Sequence, residues 1–153
     1  MSRYSRLMLG LTIAVGLAAS AWLVAAPATS VRGDGPVEVT FTKWITVFPD
    51  MAGTIGGEVS GSYHGKITNQ PNLTLPVSTI EALYTFNTGG AHSFTARLTI
   101  TQDNVAGTAV LTGTVTEGWN KGARVSGEYR VITPCVQAAP MNRCFQGKLR
   151  IGS

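Results

Sequence analysis

The chain has 153 residues, of which only 13% are charged, and it contains 18 glycines. Its formal net charge is +4, but Arg3 and Arg6 fall in an N-terminal targeting segment. From Thr29 onward ten Lys/Arg stand against eight Asp/Glu, too even a balance for the clustered positive footprint of a nucleic-acid binder, so no nucleic-acid partner is expected.

Arg3 and Arg6 precede an uncharged run over residues 7–26. Basic residues, then an apolar run, then small residues form the secretory pattern, with cleavage after Ala28 in Ala26-Pro27-Ala28. A run of about 20 apolar residues also suffices to span a bilayer. The alternative is therefore an uncleaved anchor whose basic end stays in the cytoplasm. The sequence thus divides into a signal peptide or anchor (1–28), a polar linker TSVRGDGP (29–36) and a folded domain (37–153). That domain, about 125 residues with its linker, is large enough for one real core. It is expected outside the cytoplasm: secreted, periplasmic or at the cell surface. Membrane contact is expected only through the N-terminal segment, if it is uncleaved.

The domain reads as strands throughout. In VEVTFTKWITV (37–47), Val37, Val39, Phe41, Ile45 and Val47 share one face, and Lys43 falls on it too. Either a bulge between Lys43 and Trp44 resets the alternation, which is the favoured reading, or Lys43 points inward. Residues 48–57 (FPDMAGTIGG) are rich in turn formers and read as a loop. A second strand is expected over 58–67, with Val59 and Tyr63 on one face and Glu58, Ser60, Ser62 and His64 on the other. A two-proline connection (68–76) leads to VSTIEALYTF (77–86), which aligns Ile80, Ala82, Tyr84 and Phe86. After the turn NTGGA, the strand over 92–101 alternates Phe94, Ala96, Leu98 and Ile100 with polar residues.

The clearest unit is GTAVLTGTVTEGWNKGARVSGEYRVI (107–132), two antiparallel strands around a Gly-rich turn. CFQGKLRI (144–151) closes the series, giving about seven strands without helical periodicity. Three of them carry a mid-strand glycine on the apolar face, Gly113, Gly127 and Gly147. Inward glycines let a sheet bend sharply, as a closed barrel requires. The fold class is therefore all-β: a small antiparallel up-and-down barrel of seven to eight strands, with a β-sandwich as second choice.

Few residues invite chemistry. Cys135 and Cys144 enclose eight residues, and an even Cys count in an exported domain reads as a disulfide. A metal pair would need further ligands at tight spacing, and His64 and His92 are far apart, so no metal or cofactor is expected. Neither histidine sits in a nucleophile motif, and no catalytic residue is assigned. Glu58, Glu81 and Glu128 read as outward charges facing Arg97, Arg124 or Arg130 across strands. Trp119, in the turn EGWNKG, is a candidate partner contact or a cover over one end of the barrel.

The strands GTAVLTGTVTEG and GARVSGEYRVI, with their inward small residues, resemble those of calycin-like and dirigent/allene-oxide-cyclase-like barrels. The chain is also similar in plan to small exported bacterial proteins. The resemblance implies an apolar cavity for a small molecule. No motif matches those families position by position, so no catalytic residue is carried over. The inward residues Phe41, Lys43, Tyr63, Tyr84, Phe94 and Tyr129 are the candidate ligand-binding set. The leading expectation is a non-enzymatic binder of a small apolar ligand or a partner protein. The alternatives are a cyclase or isomerase working inside the barrel, with Lys43 as its inward polar group, and a structural envelope or assembly protein.

Overall fold

A computed structural model describes residues 36–152; the expected signal peptide or anchor and all but the last residue of the linker lie outside the described residues. Where apolar and polar residues alternate, one face of a strand must be buried, and here each strand buries it against all the others. The strands are β1 (Val37–Val47), β2 (Asp50–Gly57), β3 (Gly61–Ile67), β4 (Val77–Asn87), β5 (Phe94–Asp103), β6 (Thr108–Gly118), β7 (Arg124–Ile132) and β8 (Cys144–Ile151). Each pairs antiparallel with the next, and β8 returns to β1, so the sheet closes into an eight-stranded up-and-down barrel. Closure leaves no free sheet edge.

Four expectations are corrected. Residues 50–57 form a strand, not a loop. Three glycines and few large apolar residues give DMAGTIGG little strand character by itself. Paired between β1 and β3, however, it points Met51, Gly53 and Ile55 inward. Second, β3 begins at Gly61, so Glu58 lies in a bend and not on a strand face. Third, β5 begins at Phe94, leaving His92 in the preceding turn. Fourth, no bulge separates Lys43 from Trp44. The β1–β2 register runs unbroken from Val39 to Ile45 and shifts only between Ile45 and Val47. The β1–β8 register is continuous through Lys43. Strict alternation therefore turns Lys43 into the barrel.

Mid-strand glycines make room for this closure. A Cβ at Gly147 would overlap the carbonyl oxygen of Glu128 on β7, and it would press on the Tyr129 side chain. The outer faces are polar, with Thr40, Thr42, Thr99, Thr112, Arg97, Glu128 and Lys148 among their residues. A membrane-spanning barrel has the reverse polarity, apolar outside. Glu128 lies 4.0 Å from Lys148 on β8 and not against the expected arginines; both are exposed, so the pair adds little stability. Outside the barrel wall, Cys135 and Cys144 form a disulfide, and with Ala138 they make a small second cluster against Trp44 of β1. The bridge thus pins the β7–β8 connection onto the sheet.

Candidate functional site

The barrel interior has two unlike ends. At one end, where β1 begins, aromatic rings interlock. Phe86 and Phe94 stack at 4.6 Å, Tyr63 lies 5.5 Å from Phe86, and Trp119 closes over Phe94 at 6.2 Å with His92 edge-on to it at 5.1 Å. Trp119 is half-buried and packs on the core, as the covering reading expects.

At the other end the interior opens. A cavity of about 420 Å³ lies between the β1–β2, β3–β4, β5–β6 and β7–β8 connections, within the roughly 300–1,000 Å³ of small-molecule sites. Its walls are mostly apolar: Ile45, Met51, Ile67, Ile80, Ile100 and Phe145. Exposed apolar residues stand at its mouth, among them Phe48, Leu73, Val105 and Met141. Scattered single apolar residues are ordinary on a surface, but these are gathered round one opening.

Lys43, Tyr84 and Tyr129 also line this cavity, on the side facing the packed end. Lys43 is only 2% exposed. Its Nζ is hydrogen-bonded to the Tyr84 hydroxyl. It lies 4.4 Å from the ring centres of both Tyr84 and Tyr129, 5.5 Å from Phe145 and 5.7 Å from Phe41. Burial disfavours the charged ammonium and pushes Lys43 down to about 7. The surrounding rings work in the opposite sense, since their faces attract a cation. Burial pushes the Tyr84 and Tyr129 hydroxyls up, so both stay protonated at neutral pH.

A polar chain runs from this floor to the mouth. The Tyr129 hydroxyl donates to Gln102 Oε1 at 2.5 Å, and Gln102 Nε2 donates to Asn104 Oδ1 at 2.5 Å. Asn104 Nδ2 in turn donates to the Leu75 carbonyl and to Ser78 Oγ, each at 2.7 Å. The β5–β6 turn is thereby tied to the end of the β3–β4 loop and the start of β4 beside it.

The six interior residues expected from sequence separate into two groups. Lys43, Tyr84 and Tyr129 meet at the cavity. Phe41, Tyr63 and Phe94 are buried in the packed part of the barrel. Burial, followed by the neighbouring phenols, pushes the Tyr63 hydroxyl up; it makes no hydrogen bond and fills the space left over Gly65. Sequence reasoning missed Gln102 and Asn104. The alternation of β5 runs through Ile100 to Gln102 and was the signal that could have placed Gln102 inside. Asn104 sits in a turn, where no periodicity reports direction. Among the described residues no three His, Cys, Asp or Glu side chains converge as a metal site would need. His64 lies on the outer face, 3.9 Å from Asp50.

No family model, curated protein or solved structure matches this chain.

Proposed function

We propose that this barrel binds one small, largely apolar molecule outside the cytoplasm, without enzymatic turnover of it. The observation that carries this reading is the cavity of about 420 Å³, open at one end and walled by apolar side chains, with a single polar group of high cost on its floor. A fold needs no cavity to be stable. Unfilled interior space forfeits contacts and weakens a core, so a barrel packed at one end and hollow at the other is built to be filled. The ligand that fits has an apolar body for the walls and one polar head for Lys43, Tyr84 and Tyr129. The apolar residues round the mouth give such a ligand a greasy path inward. The disulfide between Cys135 and Cys144 fits an oxidising compartment.

Native mass spectrometry of the protein, purified gently from its own host, tests this. Extra mass released on collisional activation is the expected result, and it identifies the compound class. Bare protein that also fails to retain an added long-chain alcohol would sink the proposal.

A further inference from the structure

Lys43 is a primary amine in an apolar chamber, and simple solvation of a ligand leaves its chemistry unused. We propose that Lys43 captures carbonyl compounds: an aldehyde with an apolar tail enters the cavity and condenses with Nζ to a Schiff base. The proposal rests on the ligand-binding reading and names the reactive class of that ligand.

Four features converge. Nζ lies at the cavity floor, so an aldehyde carbon that leads its tail inward arrives beside it. Among the described residues, those lining the cavity include Arg143 but no carboxylate, so none of them is an acidic partner holding the amine as an ammonium ion. The hydrogen bond to Tyr84 fixes the nitrogen's position and sets a hydroxyl beside the reacting centre. The ring faces of Tyr84 and Tyr129, each 4.4 Å from Nζ, suit the cationic iminium that forms on the way. Desolvation of a lysine in an apolar pocket is an established route to a nucleophilic amine, and Lys43, pushed down to about 7, is substantially neutral at physiological pH.

The step balances without any further reactant. The Nζ lone pair attacks the carbonyl carbon, and a proton passes from nitrogen to oxygen to give the carbinolamine. Tyr84 donates its hydroxyl proton to the departing oxygen, which leaves as water while the C=N bond forms. The resulting iminium returns its remaining N–H proton to Tyr84. The released water carries one amine hydrogen and the proton given by Tyr84, the second amine hydrogen restores the Tyr84 hydroxyl, and nothing is oxidised or reduced.

The test is reductive trapping of the full-length protein with decanal and cyanoborohydride at pH 7.5, followed by peptide mapping. Lys66, Lys121 and Lys148 are exposed and serve as internal standards. The expected result is a decyl adduct at Lys43 forming at least tenfold faster than at any of the three. Its rate should rise through pH 7. Among the described residues, Tyr84, Tyr129 and Arg143 are the other titratable or charged groups lining the same chamber, and burial keeps both tyrosines protonated through that range. Lys43→Met should leave only the slow background. Labelling of Lys43 no faster than the exposed lysines would overturn the proposal. Native mass spectrometry with 1-decanol, which cannot form an imine, separates the two readings. Retention of decanol without trapping at Lys43 ends the carbonyl proposal and leaves ligand binding intact, whereas loss of both ends both.

Discussion

The two ends of the barrel solve the same closure with opposite means. Around Phe86, the packed end fills its interior with rings at 4.6 to 6.2 Å, each covering another's face or edge. Around Lys43, the open end keeps about 420 Å³ unfilled and buries an amine there. Both ends are closed by the same alternating strands, so closure itself does not decide what lies inside. What differs is the choice of inward residue: rings packed on rings at one end, and at the other Ile and Met side chains around a lysine held among Tyr84, Tyr129 and Phe145. The packed end supplies stability that the open end gives up, and this division lets a small domain hold a cavity.

The sharpest test of that division is the pH dependence of stability. A lysine that titrates at about 7 when folded and at 10.5 when unfolded leaves the unfolded chain binding more protons between those values. Stability must then rise with pH from about 7, by at most about 5 kcal/mol. Near pH 10 the sense reverses. Tyr63, Tyr84 and Tyr129 are all raised on folding, so there the folded state holds the extra protons. Urea denaturation at a series of pH values should show a maximum near pH 10, and Lys43→Met should flatten the rising limb. A wild-type profile flat from pH 7 to 10 would mean that Lys43 is solvated and the open end far wetter than its burial implies.

Phe86→Ala should cost about 3–5 kcal/mol, the usual loss for a fully buried aromatic. Phe145→Ala, half-buried against the cavity, should cost less than half as much by the same denaturation measurement. Equal losses would erase the contrast between the ends. Replacing both Cys135 and Cys144 by Ala should remove about 2.5–3 kcal/mol, in keeping with the short loop they close, while leaving ligand retention unchanged. Tyr63→Phe should be neutral or stabilising by about 1 kcal/mol, because the hydroxyl it deletes is buried without a partner. The smallest stability effect belongs to the mouth. Leu73→Ser, at an exposed position, should shift stability by less than about 0.5 kcal/mol yet speed ligand loss in native mass spectra.

Much of this was legible beforehand. The strands β4 to β8 announce themselves because each alternates cleanly, and a period of two is a local property of the chain. The inward glycines at 113, 127 and 147 pointed to closure and not to a flat sandwich. β2 was illegible for the converse reason. Asp50–Gly57 has too few large side chains for its own sequence to favour a strand, and it is one only because β1 and β3 offer ladders on both sides. The site was half legible. Alternation put Tyr84 and Tyr129 inside and left Lys43 undecided between facing in and slipping past a bulge. The energy of burying an amine argues for the bulge, and the unbroken pairing of β1 with β2 through Lys43, Trp44 and Ile45 overrides it.

By itself, then, the sequence determined the class of architecture, the inward faces of most strands and the pairing of its two cysteines, because all of these follow from local periodicity or from a count of two. Only the tertiary structure decided that the barrel closes with eight strands, that Lys43, Tyr84 and Tyr129 meet, and that the space above them stays open. Those outcomes depend on contacts between residues far apart in the chain, as with Lys43 and Tyr84, 41 positions apart, and no local pattern encodes the shape that such contacts enclose.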